Sequence, residues 1–361
     1  MYIFFLVLVL AAVLLERYSM KNALRGVSHE SEPSSSTVEP DEHFTVTARI
    51  TNSSRRIVPF LKVQESVPRE LTVHASEVRL TPPEESVFGA DASARISYSL
   101  YLLPRQRVTR RFEASLPARG RYFLRGATLY GGDFLGLSDT VGYYNATTEI
   151  VVVPRELPSP PLDEALGGFL GDISVRRFIM EDPVLTLGFR EYTGSEPQKM
   201  ISWAQSARSG QLMVKKYDYT LELTVTVLLN VEREGQTPDS ALTERCFSLA
   251  RTVCQRLEDM HIKYGFITNA TAAGALSLWS SVGDGLGGRH FTSILEGLGR
   301  ATYDSTEPLA AMLERAAHAA ETGRSHVLIT PEPSAACAAG VRRLETATGG
   351  RVFAVYASEV E

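Results

Sequence analysis

The spacing of apolar residues changes near residue 155, and this change limits the folds open to the chain. From residue 43 to residue 153, apolar residues recur at every second position in short segments, as in Phe44, Val46, Ala48 and Ile50. This is the pattern of half-buried strands. After residue 220, apolar strands alternate with helical patterns instead. The sequence therefore predicts an all-β domain followed by an α/β domain.

No helical periodicity of useful length interrupts the strands of the first region. Turn residues such as Thr51-Asn52-Ser53-Ser54 separate them. An antiparallel, Ig-like β-sandwich of about seven strands is the economical fold for such a pattern. The clearest predicted strands are 44–50, 58–65, 95–102, 109–116, 121–129 and 148–153.

The second region opens with the dense apolar strand Leu221–Leu229, which suits a central strand covered on both faces. Thr237 as N-cap and Pro238 as first helical residue then predict a helix. Strand-helix alternation of this kind predicts a doubly wound, mostly parallel sheet. Further strands are predicted at 262–268, 275–279, 326–330 and 351–356, and further helices at 291–301, 309–322 and 335–347.

The amino terminus is an unbroken apolar run from Tyr2 to Leu15. As a helix it is about 21 Å long against a hydrocarbon core of about 30 Å, so it needs help from snorkelling basic residues to span a bilayer. Arg17, Lys21 and Arg25 follow it, and the positive-inside rule places the domains in the cytoplasm. We therefore predict a single-pass anchor in the cell membrane.

Composition and motifs argue against several function classes. The chain has 37 basic and 42 acidic residues, which excludes a polycationic nucleic-acid binder. Three cysteines (Cys246, Cys254, Cys337) form neither a disulfide framework nor a zinc motif, and the scattered histidines make no metalloprotease motif. The run Gly283–Gly288 matches G-x-G-x-x-G but lies far from the first βα turn, so it is predicted to be a surface loop. No catalytic residue, cofactor or nucleic-acid partner is expected.

The most informative run lies between residues 188 and 215. It reads G-F-R-E-Y-T-G from Gly188, then I-S-W, then S-A-R, then a hydrophobic strand with basic residues. Here the chain resembles the bacterial family called domain of unknown function 58, whose pattern is R-E-Y-x-x-G-D, I-D-W and S-A-R. Two acids of that pattern are Ser195 and Ser202 here. The matching positions are Arg190, Glu191, Tyr192, Gly194, Trp203, Ser206, Ala207, Arg208 and Lys215.

Two interpretations of this run remain open. Its Arg, Tyr and Trp side chains can fasten the segment onto the following domain. Alternatively, the run is a docking surface, because the stretch 197–217 contains four basic residues and no acidic one and so suits an acidic partner.

In this family the α/β region resembles a von Willebrand factor type A domain. That fold binds Mg²⁺ through an Asp-x-Ser-x-Ser motif at the end of its first strand. The corresponding positions here are Asn230, Glu232 and Glu234, and the late strand ends at Thr330-Pro331-Glu332 where an Asp is expected. No hydroxyl pair remains, so the resemblance implies a degenerate site without its metal; a rearranged cation site is the alternative.

The resemblance implies a membrane-anchored, non-enzymatic scaffold or adaptor that binds a protein partner, a MoxR-type AAA+ ATPase, in envelope assembly or maturation. A metal- or nucleotide-dependent enzyme and an extracytoplasmic binding module are the alternatives, and the oligomeric state is open. The predicted organisation is an anchor at 1–25, a linker at 26–42, a β-sandwich at 43–155, a connecting segment at 156–220 and the α/β domain at 221–361.

Overall fold

A computed structural model of the chain divides it into two compact units. The first consists of Met1–Arg155 and Leu295–Ala301, and the second of Glu156–Ile294 and Thr302–Glu361. The structure describes residues 4, 6, 7, 24–74, 79–81, 93–132, 139–179, 186–194, 198–217, 223–233, 235, 237, 239–274 and 279–360.

The predicted membrane anchor, residues 1–25, falls almost wholly outside the described residues. Within the described ranges, no helix is both long enough and apolar enough to cross a membrane. A span needs about 20 consecutive apolar residues in one helix, and none of the described helices provides them. The prediction of a single-pass protein of the cell membrane is therefore corrected.

The strands of the first unit form because alternate residues meet a shared core. In β3 (Phe44–Asn52) every second side chain is buried, as the period-two pattern requires. Residues 26–42, predicted as a linker, contain β1 (Val27–Pro33) and β2 (Thr37–Val38). The other strands are β4 (Val58–Val67), β5 (Thr72–Val73), β6 (Arg79–Thr81), β7 (Ala94–Leu102), β8 (Arg107–Ser115), β9 (Gly120–Leu124), β10 (Ala127–Gly132), β11 (Asp139–Tyr144) and β12 (Thr148–Val152).

These strands make three sheets, in the orders β1-β3-β8-β5, β11-β10-β4-β7-β6 and β2-β12-β9. The pairs are antiparallel except β2 with β12, which run parallel. Apolar side chains from different sheets share two core clusters. One contains Phe44, Ile96, Phe112 and Ile150 among others, and the other contains residues such as Ile50, Leu61, Leu102 and Leu129.

The predicted strand 121–129 is two strands, β9 and β10, which belong to different sheets. Gly126 separates them with a φ of 82°. A Cβ at this position would collide with the carbonyl oxygen of Tyr144. Only glycine combines a positive φ with so close a backbone approach, so the chain can turn here from one sheet to the other.

The segment Leu295–Ala301 belongs to the first unit although it is far from it in sequence. Arg300 Nε donates to Glu149 Oε1 over 3.1 Å, and Arg121 Nε donates to the same oxygen over 2.6 Å. Arg119 Nη1 donates to two carbonyl groups of the segment, over 2.7 and 2.6 Å. Charge-assisted hydrogen bonds thus hold this segment in the first unit.

The second unit begins with α1 (Pro160–Ile179) and a hairpin, β13 (Thr186–Glu191) and β14 (Met213–Tyr217), whose strands are joined through α2 (Trp203–Ser209). Strands and helices alternate after residue 223. They are β15 (Thr224–Leu229), α3 (Ser240–Asp259), β16 (Lys263–Thr268), β17 (Ala270–Ala272), β18 (Ser281–Gly285), α4 (Gly288–Arg300), β19 (Ala301–Ser305), α5 (Leu309–Ala319), β20 (Ser325–Thr330), α6 (Ala335–Thr348) and β21 (Val352–Tyr356).

Five of these strands form one sheet in the order β18-β16-β15-β20-β21. The last four run parallel, and β18 pairs antiparallel with β16 at one edge. The two central strands, β15 and β20, are almost completely buried, as strands covered on both faces must be. On one face Leu228 and Leu328 pack against α5 and α6 through Met312, Leu313 and Leu344.

Helix α3 begins two residues later than the predicted capping pattern. Its N-cap is Asp239, whose carboxylate accepts hydrogen bonds from the N–H groups of Ala241 and Leu242. A carboxylate both satisfies free amides and complements the helix dipole.

The glycine-rich run 283–288 also differs from the predicted surface loop. Gly283 and Gly285 lie within strand β18, where Asp284 pairs with Arg324.

The fold class predicted from the sequence is therefore wrong. Strands outnumber α-helices by 21 to six in the described residues, so the chain is mostly β. The predicted membrane helix has no counterpart among the described helices. The second unit is not the predicted doubly wound von Willebrand factor type A domain, because it adds an antiparallel edge strand and the separate two-stranded sheets β13-β14 and β17-β19. Apart from β14, which the sequence marks as a hydrophobic strand with basic residues, these strands are three to six residues long, too short for a clear apolar period.

Candidate functional site

A crevice of about 280 Å³ opens at the carboxyl ends of the neighbouring strands β15 and β20. After β15 the chain continues through α3 to β16, and after β20 it continues through α6 to β21. The two connections therefore run in opposite directions along the strand order. Ligand sites of parallel sheets form at such divergence points. The polar side chains that line the crevice are those of Asn230, Glu232, Arg233, Thr330, Glu332 and Ser334.

Asn230 lies at the base of the crevice and is 1% exposed. Its Oδ1 accepts from the N–H of Glu232 over 3.1 Å and from Asn269 Nδ2 over 2.8 Å. Its Nδ2 donates to the carbonyl oxygen of Glu232 over 3.0 Å and to Thr330 Oγ1 over 2.9 Å. A side-chain amide offers two donors and two acceptor positions, so protein groups occupy all four.

Asn269 closes the network from the end of the adjacent strand β16. Its Oδ1 accepts from the N–H of Val231 over 3.0 Å, and its Nδ2 also donates to the carbonyl of Glu307 over 3.1 Å. The sequence reasoning missed this residue. Asn269 directly follows a predicted strand that runs parallel to β15. Because the carboxyl ends of parallel strands meet at one edge of the sheet, this position could have indicated that Asn269 lies near Asn230.

The charged side chains at the crevice are also paired within the protein. Glu232 Oε2 accepts from the N–H of Leu309 over 2.5 Å at the start of α5, where a carboxylate complements the helix dipole. Arg233 Nη2 donates to Glu332 Oε1 over 2.9 Å. Arg233 Nη1 also lies 3.9 Å from Asp239 Oδ2, so two carboxylates flank one guanidinium at this rim.

The degenerate metal-site positions thus have different surroundings. The amide of Asn230 is fully hydrogen-bonded, the carboxylate of Glu232 caps α5, and Glu234 lies outside the described residues. Across the part of the chain that the structure describes, no group of three or more His, Cys, Asp or Glu side chains could hold a metal ion. The rearranged cation site of the sequence analysis has no support in these residues.

The family-motif residues lie together in a second place, which we call the hairpin segment: β13, α2, β14 and the residues that join them, within 186–217. Arg190 and Glu191 are in β13 and pair with Val214 and Met213 of β14. Lys215 is in β14, opposite Phe189. Tyr192 and Gly194 follow β13, and Trp203, Ser206, Ala207 and Arg208 are in α2. None of the described residues of this segment lines the crevice.

Ser206 has a structural role in the hairpin segment. Its hydroxyl accepts from the N–H of Met213 over 2.8 Å and donates to the carbonyl of Ser202 over 2.8 Å. Helix α2 is thereby tied to the first residue of β14. Ser202, which replaces an acid of the family pattern, is the N-cap residue of α2 and makes no side-chain capping bond.

In one interpretation of the sequence, Trp203 fastens the segment onto the following domain, which predicts a packed side chain. The structure shows an exposed side chain instead. It is 67% exposed, and Leu212 and Phe189 are 45% and 43% exposed. Arg208 and Lys199 are exposed as well. Large apolar side chains and cations therefore share the surface of one short segment.

Other titratable groups of the second unit are buried without a functional arrangement. Burial, and then the charge of Arg324, lower the pKa of His326 to about 4, and neither ring nitrogen has a hydrogen-bond partner. Burial raises the pKa values of the Cys246 and Cys254 thiols well above their usual range. A thiol in this state is not a nucleophile at neutral pH, so neither cysteine is poised for catalysis.

No protein-family model matches the chain, and no curated protein matches it. Solved structures share only parts of it. A CARDB domain from Pyrococcus furiosus is 16% identical, with 35% of this chain and 87% of that chain covered and a TM-score of 0.23. The sporulation control protein Spo0M from Bacillus subtilis is 12% identical, with 46% and 58% covered and a TM-score of 0.22. Similarities this low carry no argument about this chain.

Proposed function

We propose that the chain is a non-enzymatic adaptor that binds a protein partner through the hairpin segment. The observation that carries the proposal is the exposure of Trp203, which is 67% exposed beside the partly exposed Leu212 and Phe189. Tryptophan side chains dominate binding energy at protein interfaces. Exposed apolar side chains concentrated in a short segment are typical of interaction sites.

The charge of the hairpin segment suits an acidic partner. Lys199 and Arg208 are exposed, and Lys215 is partly exposed on the same strand as the buried Val214. Residues 197–217 contain no acidic side chain. Complementary charge accelerates association and selects the partner more than it adds affinity. Binding through this surface should therefore weaken as salt concentration rises.

The partner that we propose is a MoxR-type AAA+ ATPase, in assembly or maturation of envelope components. The support for this partner is the resemblance of the hairpin-segment sequence to the domain of unknown function 58 family. A non-enzymatic role agrees with the crevice, where the amides of Asn230 and Asn269 and the charges of Glu232 and Arg233 are committed to other protein groups.

Binding of the full chain to a purified MoxR-type ATPase tests this proposal. We expect Trp203→Ala to raise Kd about 30-fold, since an aromatic anchor contributes about 2 kcal/mol or more. Arg208→Ala should raise Kd less and should reduce the dependence of binding on salt.

Tyr303→Ala is the matched control, because Tyr303 is 38% exposed in the second unit but outside the hairpin segment. It should bind like the parent chain. Equal affinity of the parent and of the Trp203→Ala variant would refute the assignment of the surface, and failure of the parent chain to bind would refute the partner.

A further inference from the structure

The outer face of the sheet β11-β10-β4-β7-β6 carries four aromatic side chains, which we call the aromatic strip. Tyr143 is 76% exposed, Tyr101 62% and Phe60 44%, and Tyr130 is partly exposed. Buried neighbours on the same strands, such as Leu61, point into the core instead. The strip therefore faces solvent by the alternation of the strands.

Strand register places three of the rings along a diagonal of the sheet and the fourth beside the end of that diagonal. Tyr143 on β11 lies directly opposite Thr128 on β10, and Thr128 is two residues from Tyr130 on the same strand. Tyr130 lies opposite Lys62, which is likewise two residues from Phe60. Each diagonal step is about 7–8 Å. Tyr101 on β7 lies directly beside Phe60, opposite the irregularity that contains Phe60.

The side chains between the rings are mostly neutral hydrogen-bonding groups. Gln64 and Ser97 pair across β4 and β7, Lys62 pairs with Ser99, and Thr128 lies beside Gln64. Lys62 Nζ lies 5.8 Å from the centre of the Tyr130 ring, which helps to hold that ring in place. At the register positions of the sheet that share the face of the strip, the charged residues are Lys62, Arg79, Arg95 and Asp139.

We propose that the aromatic strip binds a neutral polysaccharide. Sugar rings present apolar C–H faces that stack on aromatic rings, whose faces are electron-rich, and their hydroxyls pair with groups that donate and accept, such as Gln64 and the three hydroxyl side chains. Four rings spread over four neighbouring strands fit an extended oligosaccharide rather than a single sugar.

A single-stranded nucleic acid fits this face less well. Its binding also uses stacked aromatic rings, but it requires a positively charged groove that follows the phosphates. Three cations and one acidic residue at the register positions of this face, in a chain with a net charge of −5, do not provide such a groove. The neutral character of the interleaved side chains decides between the two ligands.

Native electrophoresis of the full chain through gels containing hydroxyethyl cellulose, xylan or soluble glycol chitin tests the proposal. Retardation by at least one of these polysaccharides is expected. The double variant Tyr101→Ala, Tyr143→Ala should bind about tenfold more weakly, because each stacked ring contributes roughly a factor of three or more. Both side chains are largely exposed, so the variant should keep the parent circular dichroism spectrum.

Ile57→Ala is the matched control, since Ile57 is 47% exposed in the first unit but is not part of the strip. It should be retarded like the parent chain. The proposal is overturned if no polysaccharide retards the parent chain, if the double variant is retarded as strongly as the parent, or if a poly-uridine oligonucleotide binds through the strip in place of the polysaccharides.

Discussion

Replacing Asn230 by alanine should strongly destabilise the second unit. The side chain is 1% exposed, and its loss leaves the N–H and C=O of Glu232 and one N–H of Asn269 short of a partner. A buried group left unpaired costs about 1–3 kcal/mol. Water from the crevice can reach some of these groups, so we expect a loss of about 3–5 kcal/mol in the free energy of unfolding.

Urea unfolding followed by tryptophan fluorescence measures this loss directly. Both tryptophans of the chain, Trp203 and Trp279, belong to the second unit, so the signal reports that unit. The urea dependence of the free energy should stay unchanged while the midpoint falls. Thr330→Val is the control, because it removes one acceptor of the network and should cost only about 1 kcal/mol.

Asn230→Asp tests the same geometry through charge. The new carboxylate oxygen would face the carbonyl oxygen of Glu232, with the Thr330 hydroxyl as a donor on its other side. Burial and repulsion by the carbonyl should raise its folded-state pKa above the usual value of about 3.9. The folded state then binds protons more tightly, and the deficit relative to the parent chain should shrink as pH falls. An Asn230→Ala loss below about 1 kcal/mol, or an Asn230→Asp variant as stable as the parent at pH 7, would refute the reasoning.

Three further predictions follow from buried groups and backbone. The pKa of His326 is lowered to about 4 in the folded chain, so as pH falls below about 6.5 the unfolded chain protonates this side chain first. The free energy of unfolding of the second unit should therefore fall by about 3 kcal/mol between pH 7 and pH 4. His326→Leu should reduce this dependence on pH in urea titrations. Tyr98→Phe removes the 2.6 Å hydrogen bond to Glu65 and should cost about 1.5–3 kcal/mol in thermal unfolding of the first unit, whereas no change would show that water replaces it. Thermal unfolding followed for each unit should show that Gly126→Ala destabilises the first unit far more than Gly194→Ala destabilises the second. Both glycines have a positive φ, but nothing lies within 4 Å of a Cβ at Gly194, so equal losses would contradict the collision argument.

Apolar alternation was a good guide to strands only where the inward positions are apolar. Strand β3 is predicted by its sequence, because Phe44, Val46 and further alternate residues face the core. Strand β1 is not, because two of its buried residues are His29 and Ser31. Both side chains hydrogen-bond to Glu65 inside the sandwich, His29 through Nε2 and Ser31 through its hydroxyl. A partner 34 or more residues away cannot be read from a local pattern.

The candidate sites show the same limit. The position of Asn230 at a strand end was predicted from the resemblance, but its partners depend on Asn269, which only the parallel register of β15 and β16 brings near. The exposure of Trp203 was not predictable, because a Trp in a short amphipathic stretch is compatible with burial or exposure. Whether the hairpin segment and the aromatic strip bind the proposed partners stays a prediction.

The inclusion of Leu295–Ala301 in the first unit has a consequence for synthesis on the ribosome. A nascent chain that has emerged only as far as Arg155 lacks the segment that supplies Arg300 to Glu149 and two carbonyl groups to Arg119. The amino-terminal strands can therefore complete these hydrogen bonds only after residue 301 has left the exit tunnel. A gene fragment that ends at Arg155 has the same deficiency permanently, and it should be less stable than the same strands in the full chain.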